Sequence, residues 1–185
     1  HAGMVALWDA RLAQLTPQAA LGYNDTAAML EITYHLGEAL PGQVYLLSEP
    51  RRVDEVDFVH DYNLPPEHLV RYRQATGGRL PVSALLAPIR TGENTLGVLL
   101  LDNFTTPAAF SVEDEALAVS LTQQTALALE NARLYQDSQQ HAAQLQALTN
   151  VASTLTSSLK RDELIASLLN RFEEVLPYDT GTIWL

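Results

Sequence analysis

The stretch "VSALLAPIRTGENTLGVLLLDN", Val82 to Asn103, carries the strongest strand signal in this 185-residue chain. Two apolar runs flank "TGEN", whose glycine suits a tight reversal, so the segment reads as a β-hairpin. Both runs are apolar at nearly every position, so both faces of the hairpin should be covered by other elements.

Towards the N-terminus, Gly3 to Asp9 alternates as a strand does, and "RLAQLTPQAA", Arg11 to Ala20, reads as its partner. Pro17 lacks an N–H, which suits an edge or bulged strand. "NDTAAML", Asn24 to Leu30, is a capping residue followed by helix formers. Gly37 and the Pro41–Gly42 pair punctuate a loop, Gln43 to Ser48 reads as one or two helical turns, and Arg51 to Val56 as a short strand. In "NLPPEHLVRYRQATGG", Pro65 or Pro66 opens a helix, where the missing donor is harmless, and Gly77–Gly78 stops it.

Towards the C-terminus, "FTTPAAFSVED" is a loop ending at Ser111. Asp114 lies three residues on, close to a capping box. No glycine or proline then occurs between Val112 and Pro177, so a long helical stretch with one break is expected. From Leu127 a four-three spacing runs through Asn131, Leu134, Ser138, His141, Leu145, Leu148, Ala152, Leu155 and Leu159. Such a seam indicates a two-stranded coiled coil or close helix pair, with the polar Asn131, Ser138 and His141 setting register. The other reading is one amphipathic helix folded back on its own domain. "KRDELIASLLNRFEEVLP" reads as a separate amphipathic helix, with Leu164, Ile165, Leu168, Leu169, Phe172 and Leu176 on one side.

Composition narrows the function classes. With 22 acidic against 11 basic residues the formal charge is −11, which argues against a nucleic-acid or anionic-membrane surface. No cysteine is present, so disulfides, thiolate metal sites and cysteine nucleophiles are excluded. No run approaches the roughly 18 apolar residues of a spanning helix. A cytoplasmic location is the expectation.

In this order, the elements resemble those of a GAF domain. "GMVALWD" with "AALGY" resembles the family's opening strand pair. "YHLGEALPGQVYLLSEPRRVDEV" resembles its Gly-Glu loop, short helix and Glu-Pro turn. The Val82–Asn103 hairpin resembles its central hairpin, and "FSVEDEALAVSLTQQTALALENARLY" its closing helix. The resemblance spans about residues 1 to 135. It implies an α+β fold, an antiparallel GAF/PAS-like sheet with helices on both faces and a long signalling helix behind it. The expected organisation is a GAF domain lacking its first helix at 1–128, a coiled-coil linker at 129–159, and the first helix and strand of a following GAF domain at 160–185. "LPYDTGTIWL", Leu176 to Leu185, would be that next strand, ordered by domain swapping: Asp162 to Leu176 would fill the gap left by the missing helix, in its own or a neighbouring chain.

The family also implies a small-molecule pocket between the sheet and the helices of one face. By position its candidates are Phe58, His60, Tyr62, Leu69, Tyr72, Leu86 and Leu99. Aromatic walls with polar tips suit a planar ligand. Equally, these aromatics would simply close a core. Without cysteine, neither a thioether-linked bilin nor the cysteine-dependent reductase chemistry of some relatives is expected. The Asn-Lys-Phe-Asp-Glu pattern of cyclic-nucleotide-binding relatives does not occur, and the cofactor stays unassigned.

His141, in "QQHAAQL", is not followed by the acidic residue and nearby proline of a kinase phosphoacceptor, so it reads as a polar seam residue. His1, His35, His60 and His68 show no metal-ligand spacing, and no metal is expected. "RQATGGRL" neither follows a strand nor opens a helix, so it reads as a helix stop rather than a phosphate loop. The functional expectation is a non-catalytic sensory module of a signalling protein such as a histidine kinase of a two-component system, or a nucleotide cyclase. It would form a homodimer through Leu127, Asn131, Leu134, His141, Leu145, Leu148, Leu155 and Leu159 and take a small molecule. The rivals are a ligand-free dimerising spacer and, third, a small-molecule enzyme.

Overall fold

The structure is a computed structural model that describes the backbone of residues 1–173 and side chains chiefly up to residue 150. The expectations for Leu176–Leu185, and for the side chains of Leu155, Leu159, Leu164, Leu168, Leu169 and Phe172, lie outside the described residues.

Six strands form one fully antiparallel sheet: β1 (Ala2–Asp9), β2 (Gln14–Leu21), β3 (Tyr34–His35), β4 (Arg51–Val53), β5 (Ser83–Thr91) and β6 (Asn94–Asn103), in the order β3-β2-β1-β6-β5-β4. The β5–β6 hairpin sits at its centre, paired from Ser83–Asn103 to Thr91–Asn94. Successive side chains point to opposite faces. Ala2, Met4 and Ala6 of β1, Ala84 and Leu86 of β5, and Val98 and Leu100 of β6 line the inner face. Leu85, Ala87, Leu99 and Leu101 line the outer face. The register places Met4 opposite Leu100 and Leu100 opposite Leu86, so the inner floor is a continuous apolar row.

Helices α1 (Thr26–Leu30), α2 (Ala39–Leu47) and α3 (Pro66–Thr76), with a π-helical turn at Phe58–Tyr62, contribute further buried groups of the inner face, beside Leu15 of β2, Tyr34 of β3 and the loop residues Tyr23 and Ile32. Each is set by local chemistry. The Asp25 carboxylate caps α1 by accepting from the Ala28 N–H at 3.0 Å. Pro66 opens α3 and Gly77, at φ 64, closes it. In the "GEALPG" loop the Glu38 carboxylate accepts from the His35 N–H at 2.7 Å, and a Cβ on Gly42 would run into the His35 carbonyl, so α2 can approach only as glycine.

The outer face receives the start of α4 (Val112–Glu173) through Ala118 and Val119, with Phe110 just before the helix. Ser111 and Asp114 form the reciprocal cap: the Asp114 carboxylate accepts from the Ser111 N–H, and the Ser111 hydroxyl accepts from the Asp114 N–H at 3.1 Å. The expected break in this helix does not occur. Nothing in the run is a backbone breaker, and the helix continues for 62 residues. Two compact units are distinguished, His1–Asn131 and Ala132–Leu185. The short strand expected at Arg51–Val56 ends at Val53, because the Val56 N–H bonds the Val82 carbonyl and Asp57 caps the π-helical turn.

Candidate functional site

The inner face carries one ionisable group at its centre, the carboxylate of Asp102. Alternation along β6 puts it in line with Val98 and Leu100, and its cross-strand neighbours are Ala2 on β1 and Ala84 on β5. Two alanines leave room above the sheet, and tyrosines from three elements and from the loop between β2 and α1 fill it. The Tyr62 hydroxyl donates to Oδ1 at 2.5 Å, and the Tyr23 and Tyr72 hydroxyls donate to Oδ2 at 2.9 and 3.2 Å. Tyr34, on β3, is the fourth ring, and its buried hydroxyl has no protein partner among the described residues. Phe58 stacks on Tyr62 with ring centroids 4.9 Å apart and tilts against Tyr72 at 5.2 Å.

Burial governs the electrostatics. Asp102 is fully enclosed, and loss of water raises its pKa from 3.8 to about 6, against the opposing pull of the three phenolic hydrogen bonds. The same burial, followed by the nearby negative charge, pushes the hydroxyls of Tyr23, Tyr34, Tyr62 and Tyr72 far above the ordinary phenol range. At neutral pH the site therefore holds four neutral phenols around one carboxylate. None of the ion pairs among the described residues reaches Asp102.

Of the residues singled out from sequence, the fold brings Phe58, Tyr62, Tyr72 and Leu86 into this one cluster. Leu69, on α3, is half-buried. His60 is turned to solvent, its side chain 82% exposed and paired with Asp57 at 2.7 Å. Leu99 projects from the outer face, because it is offset by one residue from Val98 and Leu100. Sequence reasoning missed Asp102, Tyr23 and Tyr34. The period-two run Val98, Leu100, Asp102 was the available signal for the first; nothing local marks the two tyrosines.

The outer face has an open apolar groove of about 480 Å³, with Gly3, Val5, Ala19, Leu21, Leu99 and Leu101 among its lining residues. Leu21 there is 79% exposed. Within α4, Leu127, Leu134, Leu145 and Leu148 are all exposed in the single chain, as are Asn131 and His141.

A model of the GAF domain matches residues 2–129. The chain belongs to the GAF family. Solved GAF domains share the fold. That of a phosphoenolpyruvate-protein phosphotransferase from Coxiella burnetii superimposes with a TM-score of 0.60 at 22% identity, over 74% of this chain and 75% of that one. The second GAF domain of DevS from Mycobacterium smegmatis gives 0.56 at 20% identity, over 74% and 84%. A free methionine-R-sulfoxide reductase from Neisseria meningitidis, solved with its substrate, gives 0.55 at 19% identity, over 72% and 70%. GAF domains are generally regulatory, and the reductase shows that the same architecture also carries an enzyme.

Proposed function

We propose that this GAF domain is a non-catalytic sensory module of a cytoplasmic signal-transduction protein, a histidine kinase or nucleotide cyclase being the type in view. In this reading a small molecule binds at the inner-face aromatic cluster. Homodimerisation runs along α4 through Leu127, Asn131, Leu134, His141, Leu145 and Leu148, continuing to Leu155 and Leu159. The observation that carries the sensory reading is the buried carboxylate of Asp102, hydrogen-bonded by three phenols but met by no countercharge among the described ion pairs. A functionless core would be built more stably from apolar groups, since burying a charge without a countercharge is unfavourable. The exposed leucines of α4 support helix pairing, because an apolar row left in water is stabilised by a partner. The apolar outer groove supports a covering helix supplied by domain swapping, for which Asp162–Leu176 has the required one-sided apolar pattern. The absence of any cysteine sets the chain apart from cysteine-dependent reductase chemistry.

A structural spacer without ligand is the second reading, favoured by one observation: Tyr34, Tyr62 and Tyr72 fill the inner site with no exposure at all. A thermal-shift screen of nucleotides, tetrapyrroles and small metabolites separates the two, because a ligand of the native state raises Tm by mass action. A hit that is lost in Tyr62→Phe supports the sensor; silence across the screen supports the spacer.

A further inference from the structure

We propose that the inner-face cluster senses protons: one proton, taken up and released by Asp102, sets how firmly the segments carrying Tyr23, Tyr62 and Tyr72 are held to β6. The inference rests on the sensory reading of this cluster and names a ligand that the enclosed site takes as it stands. Asp102, Tyr34, Tyr62 and Tyr72 have no exposure, and the rings of Phe58, Tyr62 and Tyr72 lie with centroids 4.9 to 5.4 Å apart. A proton needs no vacant volume and displaces no ring.

Three observations converge on Asp102 as the group that titrates. First, no countercharge meets it. Its carboxylate receives hydrogen bonds from three neutral phenols, and none of the described ion pairs includes it. Around it stand Tyr23 from the loop before α1, Tyr34 from β3, Tyr62 from the π-helical turn and Tyr72 from α3, with Ala2 and Ala84 on the flanking strands. Helices α1 and α2 add apolar side chains, Met29 and Leu40 among them, while Glu38 at the start of α2 places negative charge near Tyr34. The His1 ring bonds Asn103 at 3.0 Å, and the Arg79 guanidinium bonds the Thr76 carbonyl and Asn24 and lies over the Phe104 ring. Neither cation-forming group is spent on Asp102.

Second, loss of water outweighs the three phenolic bonds, so the acid keeps its proton up to about pH 6 rather than 3.8. The four phenols are pushed far above their ordinary range and stay neutral throughout. Third, both protonation states fit one arrangement. The carboxylate accepts from three hydroxyls, and the O–H of the neutral acid has the same oxygens to turn to, because a phenol oxygen that donates still has lone pairs.

The proton is therefore a ligand with different affinity for two states. It binds enclosed Asp102 on the order of 100-fold more tightly than hydrated Asp102, the ratio set by a pKa of about 6 against 3.8. Acidification favours the enclosed state, and that preference is lost as pH rises through 6. The donors sit on a loop, a five-residue turn and α3, whereas β6 is paired along its whole length with β5. The change in hold falls on the donors' segments.

The test is a carboxyl-carbon NMR titration of the full chain from pH 4.5 to 8, with amide exchange measured over the same range as protection factors. The expected result is one aspartate, missing from the spectrum of Asp102→Asn, that titrates near pH 6. Protection at Phe58–Tyr62, in α3 and around Tyr23 falls about 30-fold between pH 4.5 and 7.5 and levels off above pH 6. Protection in the β5–β6 hairpin changes less, and Asp102→Asn flattens the dependence. The milder Tyr72→Phe, which removes the longest of the three bonds and keeps the ring, moves the midpoint above 6. Titration of Asp102 near pH 4, or protection that changes equally in the hairpin and the three segments, overturns the inference. If Asp102 titrates near pH 4 while a nucleotide, tetrapyrrole or metabolite raises Tm in a Tyr62-dependent way, the proton falls and the ligand site stands. If Asp102 titrates as expected and none of those compounds binds, the proton is the input and the small-molecule reading falls.

Discussion

Tyr62 donates its phenolic hydrogen to Asp102 at 2.5 Å across 40 residues of sequence. The pair joins a π-helical turn above the sheet to the centre of strand β6, and Tyr23 and Tyr72 reach the other oxygen of the same carboxylate. The consequences of concentrating so many hydrogen bonds on one buried acid can be measured.

Stability should depend on pH through Asp102. Its folded pKa is raised to about 6 from 3.8, so between those values the native state binds more protons than the unfolded chain. The contribution is therefore fully favourable below about pH 4 and is lost as pH rises through about 6, a difference on the order of 3 kcal/mol. Asp102→Asn removes the titration. Urea midpoints of the wild type should fall relative to those of the variant between pH 4.5 and 7.5; parallel profiles would count against the burial of this charge.

Tyr62→Phe keeps the ring and deletes the donor. Loss of a hydrogen bond to a charged group should destabilise the fold by about 1.5–3 kcal/mol at pH 7.5. With one fewer donor holding the ionised form, the Asp102 pKa should move up further, shifting the inflection of the stability profile to higher pH. Tyr34→Phe serves as the contrast, since its hydroxyl has no protein partner, and its stability should stay at or slightly above that of the wild type.

Gly97→Ala tests the sheet centre. A Cβ there would collide with the Ala6 carbonyl and approach the Leu7 Cα to 3.0 Å, and both are backbone atoms of the neighbouring strand. Overpacking at such a position should destabilise by about 1–3 kcal/mol, visible as a lower urea midpoint at unchanged slope. A neutral result would mean that β1 and β6 lie further apart than described.

Leu145→Asp with Leu148→Asp tests the proposed pairing of α4. Both side chains are about two-thirds exposed in the single chain (65% and 67%), so placing charge there should leave the core domain's Tm unaltered. Sedimentation equilibrium should report a dimer for the parent protein and a monomer for the double variant. A mass that does not change between them rejects the seam.

The Ser111–Asp114 cap sets the start of α4. Ser111→Ala should weaken the helix by about 1 kcal/mol; circular dichroism and thermal melts read the loss. Because the Ser111 N–H is itself bound by Asp114, Asp114→Ala should reproduce most of the effect.

What the amino-acid order determined by itself is the set of structures whose causes are local. The Val82–Asn103 hairpin, the Pro66 start and Gly77 stop of α3, the Asp25 cap and the Ser111–Asp114 box all follow from residues a few positions apart, where turn geometry and unpaired backbone groups act directly. The same locality shows in the long helix, which runs on because no glycine or proline interrupts it. Phe58, Tyr62, Tyr72 and Leu86 were already candidates by position, but tertiary structure alone decided which hydroxyls meet on one carboxylate. Tyr23, Tyr62 and Tyr72 meet Asp102 over 79, 40 and 30 residues, and a contact of that range leaves no periodic trace in the sequence. It also decided that His60 faces water and that Leu99 faces the outer groove, since one step along a strand or a turn reverses a side chain's direction. The physical reason is common to all of these: backbone preferences are written residue by residue, whereas burial and partnership exist only once the sheet has brought distant segments together.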